Sequence, residues 1–362
     1  MTTLAELTTL GVGGPIKNFV AATSPEEIIA AVSQADEQGE DILIVGGGSN
    51  ILAADTPFDG TVVHIANQGY AIEGGAACEI PSANSTQPVE AKTAACGGYT
   101  VTAQAGQNWD EFVAAMVKEQ FVGLEALSGI PGTVGATPIQ NVGAYGADVS
   151  QTIARVYTWD RQEKKKVSFS NEAMKFSYRD SIFKQSMMGS SPRYIVLSVD
   201  FQLEVGDLSA PVKYPELARS LGVEVGNRAA VDQVREQVLK LRASKGMVLN
   251  PEDRDTFSTG SFFTNPIVPE DFKLPADAPQ YPVGDGYKKL SAAWLISHSG
   301  FEKGHGLPGP ASLSTKHSLA ITNRGSATAQ DIVNIAEEVQ KGVQKKFGIK
   351  LEAEPILINC SL

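Results

Sequence analysis

Cysteine and histidine are scarce in this chain, and their placement closes off several chemistries. The three cysteines, Cys78, Cys96 and Cys360, and the four histidines show none of the paired spacings that hold a metal, so no metal centre is expected. An odd cysteine count fits reduced thiols; a Cys78–Cys96 disulfide across the polar stretch between them is the weaker reading. No run of about 18 apolar residues occurs, so no membrane span is expected. The opening MTTLAELTTLGVGGPIKNFV lacks a charged segment followed by a long apolar one, so no secretory leader is expected and the chain reads as cytoplasmic. Positive charge is also short: 30 Lys and Arg stand against 41 Asp and Glu, a net charge of -11. That balance keeps a protein soluble and argues against a nucleic-acid partner. What is present is ordinary globular material, 42% hydrophobic and 20% charged over 362 residues, enough for two or three domains with real cores.

Helix and strand signals alternate from the start. Ser24-Pro25-Glu26-Glu27 supplies an N-cap, a proline in the first turn and a capping-box glutamate. Ile28, Val32 and Ala35 follow at helical spacing, and Gly39 supplies the stop. Ile42 to Val45 reads as a short buried strand and Thr61 to Ala66 as a second. A helix capped by Asn108 packs Phe112, Val113, Met116 and Val117. Strands over Ile153–Trp159 and Tyr194–Leu203 flank Lys164, Lys165 and Lys166, read as a solvated hairpin tip. Residues 73–99, rich in Gly, Ala, Ser and Pro, read as an exposed hairpin or loop insertion. A helix near Ala229–Leu241 precedes a polar loop holding Asn250-Pro251. A last helix runs from Thr328 to Gly348 with Ile332, Ala336, Val339, Val343 and Phe347 on one face.

Two glycine-rich stretches carry the chemistry. Gly46-Gly47-Gly48-Ser49-Asn50 follows a buried strand, where bare backbone N–H groups can converge on an anion. It lacks the Gly-Lys-Ser/Thr of a Walker loop, and Ile51 stands where a dinucleotide fingerprint needs a third glycine. Alone it is more often a tight turn. The second stretch runs from Ser128-Gly129-Ile130-Pro131-Gly132-Thr133-Val134-Gly135-Ala136 into Gln140-Asn141-Val142-Gly143-Ala144-Tyr145-Gly146. Two such loops suit a ligand with two phosphates and a ring system, with the amides of Gln140 and Asn141 available to the ring's polar edge.

In family order, Ile44–Asn50, Ser128–Gly135, Gln140–Gly146, Tyr178–Lys184, Gly260–Pro266 and Leu351–Glu354 resemble the UDP-N-acetylenolpyruvoylglucosamine reductases, the MurB family. The resemblance covers nearly the whole chain apart from 73–99. It implies the vanillyl-alcohol-oxidase-type FAD fold and an NADPH-dependent reduction of an enolpyruvyl ether to a lactyl ether, giving UDP-N-acetylmuramate for peptidoglycan. FAD bound without a covalent link is implied, since His64, the histidine nearest the first loop, sits inside an apparent strand. The resemblance assigns flavin contacts to Gly46, Gly47, Gly48, Ser49, Asn50, Ser128, Ile130, Pro131, Gly132, Thr133, Gly135, Ala136, Gln140, Asn141 and Gly143.

Ser261 matches the family's proton donor, and Arg179 and Glu354 match its other active-site residues. Arg179 offers a fork of donors for a carboxylate and developing charge. Read alone, Ser261 is more often a turn residue, and Arg179 or Glu354 an ordinary ion-pair partner. Tyr214, Lys245, Asn265 and His317 match substrate-gripping positions, a surface role for His317 being nearly as common. Ile356 stands where some relatives carry an arginine, so phosphate contacts would be redistributed.

The expected architecture is α+β. Residues 1–72 and 73–246 would form two flavin-binding subdomains, 247–348 a substrate domain, and 349–362 a strand returning Glu354 to the site. A single copy is the expected working form, with the nucleotide-sugar and NADPH as its partners. Two rivals stay open on sequence. One is an FAD enzyme of the same fold acting on an alcohol, and the other a flavin-free nucleotide-sugar binder.

Overall fold

A computed structural model describes residues 2–74, 98–189 and 191–362. Helices and mostly antiparallel strands mix along the chain, giving the expected α+β class. The chain gathers into two compact units. One comprises Met1–Val20, Gly47–Val62 and Leu241–Leu362; the other comprises Ala21–Gly46 and Val63–Lys240. The change of unit after Lys240 falls inside the helix Val231–Ser244, ahead of the Asn250-Pro251 loop.

The second unit is organised by a six-stranded sheet. Its central strand, Tyr194–Val205, pairs antiparallel with Ile153–Asp160 on one side and Tyr99–Gln104 on the other. Helix Trp109–Lys118 covers this sheet because Trp109, Phe112, Val113, Met116 and Val117 recur on one face and are all buried. The rings of Trp109, Phe112 and Phe201 meet at centroid distances of 5.2 to 6.1 Å. The expected cap is present, with the Asn108 side chain accepting the Glu111 N–H at 3.1 Å.

Two local expectations take a different form. In helix Pro25–Gln38, Ser24 caps Glu27 as expected, and the Glu27 carboxylate turns chiefly to Thr23, with the Ser24 N–H a lesser partner. It takes the Thr23 N–H at 2.7 Å and the Thr23 hydroxyl at 2.9 Å, because Thr23 offers two donors where the Ser24 backbone offers one. Those bonds hold the Glu27 carboxyl below its usual range. In the lysine run, only Lys164 stays in the turn. Lys165–Ser170 is a strand paired with Ile153–Asp160, since Val167 and Phe169 supply strand-type alternation, and Lys166 reaches Glu26 at 3.3 Å. The insertion expected at 73–99 and any Cys78–Cys96 pairing lie outside the described residues. The strands at its flanks, Tyr70–Glu73 and Tyr99–Gln104, pair antiparallel with each other.

The first unit is built on helix Ala329–Phe347. Thr328 and Asp331 form a reciprocal capping box, and Ile332, Ala336, Val339 and Val343 are buried with Phe262, Phe263, Leu295 and Leu313. A three-stranded sheet follows the order Ile267–Pro269, Tyr287–Leu290, Gln280–Gly284. Ile51–Ala53 and Ile356–Ile358 pair in parallel, joining the segment after the first glycine loop to the end of the chain.

Candidate active site

In the first unit, backbone pairing gathers residues that are far apart in sequence. The Glu354 N–H donates to the Phe262 carbonyl at 2.9 Å, the Thr264 N–H donates to the Glu352 carbonyl at 3.0 Å, and Phe263 bridges Ala353. Ser261 and Glu354 are thereby held on neighbouring extended segments joined by that bridge, both half-buried. On the other side, the Phe262 N–H donates to the Leu319 carbonyl at 2.8 Å. That places the Ser314–Ala320 turn, with His317, beside the same strand. The Asn50 carboxamide donates to the Glu354 carbonyl at 3.2 Å, and the Ile356 N–H donates to the Asn50 carbonyl at 2.9 Å. Gly47, Gly48, Ser49 and Asn50 therefore belong to the same assembly as Ser261 and Glu354. Ile356 lies in the strand that makes this connection, opposite Ile51.

The two substrate-type residues of this unit are placed as follows. Asn265 accepts the Ala292 N–H through Oδ1 at 2.9 Å, so its oxygen caps the start of helix Ala292–His298 and its NH₂ is the donor end. Lys245 is half-buried just past the helix Val231–Ser244, where its N–H donates to the Arg242 carbonyl at 3.0 Å.

One residue missed in the sequence ties this unit's site together. Thr9 donates its N–H to the Gly48 carbonyl at 3.2 Å and its hydroxyl to the Ser258 carbonyl at 2.7 Å. It thus links the first glycine loop to the strand leading to Ser261. Its signal was the run Thr8-Thr9-Leu10-Gly11-Val12-Gly13-Gly14, whose glycines mark a backbone packed too closely for side chains.

The second unit holds the longer glycine segment. Gly46 approaches Thr133 so closely that a Cβ on Gly46 would stand 2.4 Å from the Thr133 hydroxyl oxygen. At Gly135 a Cβ would meet Ala105 at 2.5 Å, and the Gly135 N–H donates to the Ala105 carbonyl at 2.8 Å. Ser128 is buried with its hydroxyl donating to the Glu125 carbonyl at 2.7 Å. Ile130, Pro131 and Gly132 are partly exposed around it, and Ala136 is exposed at the end of a short 3₁₀ turn.

Arg179 locks the far end of this segment. Its guanidinium donates to the Gly143 carbonyl at 2.9 Å and the Asn141 carbonyl at 3.4 Å. The Asn141 carboxamide donates to the Ser177 carbonyl at 3.1 Å and accepts the Ser150 N–H at 3.2 Å, so this amide serves the loop itself. Gln140, beside it, is half-buried. Tyr214 is exposed, its ring edge-on to Tyr145 at 5.5 Å.

The stretches 42–54 and 128–147 contain no charged side chain. Their polar groups are backbone N–H, hydroxyl and carboxamide. Glycine-shaped backbone without carboxylates is the donor set a dinucleotide with a diphosphate and a neutral ring requires, so the residues present fit FAD. Among the described residues, no group of three or more His, Cys, Asp or Glu could hold a metal ion, and no helix is long and apolar enough to cross a membrane.

Comparison with known proteins agrees with this geometry. Residues 16–162 match the FAD binding domain profile, and residues 250–358 match the C-terminal domain of UDP-N-acetylenolpyruvoylglucosamine reductase. The chain is 49% identical to the UDP-N-acetylenolpyruvoylglucosamine reductase of Cutibacterium acnes, over 99% of this chain and 90% of that protein. It is 45% identical to the Streptomyces coelicolor enzyme over the same shares of the two chains. The crystal structure of the Thermus caldophilus reductase shares the fold, with a TM-score of 0.62 at 21% identity, covering 99% of this chain and 97% of that one. The glycine loops, the paired Ser261 and Glu354 segments and these likenesses place the chain in the UDP-N-acetylenolpyruvoylglucosamine reductase family of FAD-binding oxidoreductases.

Proposed function

We propose that this chain reduces UDP-N-acetylenolpyruvoylglucosamine to UDP-N-acetylmuramate for peptidoglycan precursor synthesis, working in the cytoplasm as a monomer with NADPH as reductant. Residues 1–72 and 73–246 supply the flavin-binding pair, 247–348 the substrate domain, and 349–362 the segment that returns Glu354. When bound, FAD would supply the redox chemistry that couples NADPH oxidation to hydride addition at the terminal carbon of the enol ether. Ser261 gives its hydroxyl proton to the other alkene carbon, so that the double bond becomes the CH–CH₃ of a lactyl ether.

The observation that carries this reading is the Phe262 backbone, bonded to Glu354 through its carbonyl and to Leu319 through its N–H. A serine hydroxyl is a weak acid at neutral pH and acts as a proton donor only when held at a fixed position beside the reacting carbon. Those two bonds immobilise the residue next to Ser261. Glu354, on the adjacent segment, supports the hydroxyl or the developing enolate. Arg179, which also holds the Gly143 and Asn141 carbonyls, sets its positive charge beside the substrate carboxylate, whose negative charge grows as hydride arrives. Lys245 and the Asn265 NH₂ meet the diphosphate, and Tyr214 and His317 hold the rest of the nucleotide-sugar. Gly46 to Asn50, Ser128, Ile130 to Thr133, Gly135, Ala136, Gln140, Asn141 and Gly143 hold the flavin.

Ser261→Ala tests the assignment. It should leave bound flavin and NADPH oxidation intact and slow flavin reoxidation by the enol ether by roughly 10²–10⁴-fold, the range for a positioned general acid. Ser261→Cys should recover part of the loss. Normal reoxidation in the alanine variant, followed by rapid mixing, removes Ser261 from the chemistry.

A further inference from the structure

Asp110 stands at the second position of helix Trp109–Lys118, where an acidic residue ordinarily serves its own helix terminus. Here the carboxylate also reaches beyond its own helix. Its Oδ1 accepts the Gly129 N–H at 2.6 Å, and the Arg235 guanidinium grips both oxygens at 2.6 and 2.9 Å. The pair is partly buried, with the Arg235 side chain 17% and the Asp110 side chain 35% exposed.

The same helix start holds the glycine segment at further points. The Trp109 indole donates to the Leu127 carbonyl at 3.0 Å, the Trp109 N–H to the Gly132 carbonyl at 3.1 Å, and Asn108 bridges Thr133. Gly135 and Val134 donate to Ala105 and Gln107. Segment 127–135 is thus laid against 105–110 by a row of neutral bonds and one charged one. The Gly129 peptide, at φ 72°, has its N–H committed to Asp110, which fixes how the following residues present theirs.

A carboxylate is an odd anchor for a loop otherwise free of charge and suited to a diphosphate. An uncompensated negative charge there would repel the ligand the loop is shaped for. Arg235 removes that cost by a bidentate bond, which both neutralises Asp110 and fixes its direction. We propose that Asp110 and Arg235 are a positioning pair for flavin binding: Asp110 sets the Gly129 turn, and Arg235 cancels the charge that the anchor would otherwise set against the flavin diphosphate. This rests on reading 128–136 as a flavin loop.

The test uses the purified full-length protein and measures FAD dissociation by the rise in flavin fluorescence after dilution, with thermal unfolding in parallel. Arg235→Gln should raise the FAD dissociation constant about 10-fold, the effect of one exposed charge near a dianion, and salt should reduce the loss. Arg235→Lys should largely restore affinity, since it keeps the charge. Asp110→Asn combined with Arg235→Gln should bind FAD more tightly than Arg235→Gln alone, although it has lost more of the native pair. A purely structural ion pair predicts the opposite order, with affinity following thermal stability. That order, or an unchanged dissociation constant in Arg235→Gln, overturns the proposal. A wild-type protein that binds no FAD would instead overturn the reading of the loop itself, and the proposal with it.

Discussion

Removing the Asp255 carboxylate should destabilise the unit that carries Ser261, and the structure sets the size of the effect. Asp255 is 6% exposed and its partner Arg324 15%. The carboxylate accepts the Thr315 N–H at 2.8 Å, the Thr315 hydroxyl at 2.5 Å and an Arg324 Nη2–H at 2.9 Å, while the Arg324 Nε–H donates to Ser312. Asp255→Ala therefore leaves the buried Arg324 cation without its carboxylate and removes the acceptor that the Thr315 and Ser314 donors share. Breaking a buried pair in this way costs about 3–5 kcal/mol. Asp255→Asn keeps an acceptor for one donor but loses the charge, and should cost about 1.5–3 kcal/mol, the value of a hydrogen bond to a charged group. The damage should be local as well as global. Thr315 lies in the turn whose Leu319 carbonyl receives the Phe262 N–H, so hydrogen exchange should quicken at 312–320 and 260–264 before the other unit responds. Urea unfolding gives the energies and exchange mass spectrometry gives the location. A loss below about 0.5 kcal/mol for Asp255→Ala, the range of an ordinary surface change, would refute the reasoning. The pH dependence has a definite sign. Burial pushes the Asp255 carboxyl up, but the bonds from Thr315 and Ser314 and the Arg324 charge outweigh it, leaving the group below its usual range. A depressed carboxyl contributes stability that is fully present above the unfolded value of about 3.9 and is lost as pH falls toward the folded value. Asp160, held down first by its bond from Arg193, should act in the same window.

Gly135→Ala would force a Cβ against Ala105, both its side chain and its backbone, and should yield folded protein depleted in FAD, read as a lowered ratio of 450 to 280 nm absorbance (about 1–3 kcal/mol of overpacking). Full flavin content in that variant would show that the close approach at Gly135 does not shape the flavin site. Lys245→Ala should raise the apparent KM for the nucleotide-sugar while flavin content stays unchanged; loss of flavin instead would move Lys245 to the cofactor site. NADPH and the nucleotide-sugar should share one site, giving parallel double-reciprocal lines and inhibition by excess substrate. Intersecting lines would require a ternary complex and a second binding region.

The sequence was most informative where a residue's role depends on its near neighbours. Helix starts at Ser24, Asn108 and Thr328 were legible because a cap is a bond between residues three apart, and the buried faces of Trp109–Lys118 and Ala329–Phe347 because helical period fixes which side chains share a side. The glycine loops were legible because only glycine permits approaches such as Gly46 to Thr133. The errors arose where two local partners compete. Glu27 bonds Thr23 more than Ser24, and Lys165 and Lys166 joined a strand whose partner, Ile153–Asp160, is set by pairing rather than by composition.

Nothing in local pattern could show that Glu354 donates to Phe262, that Thr9 joins Gly48 to Ser258, or that Arg235 neutralises the anchor of Gly129. Each of those contacts is made between segments whose own sequences would be satisfied by water or by another partner. They become definite only when burial of Phe262, Phe263, Trp109 and their neighbours fixes which strands and helices lie together. Residue type determined which chemistry was available to this chain; long-range packing decided which residues would be close enough to share it.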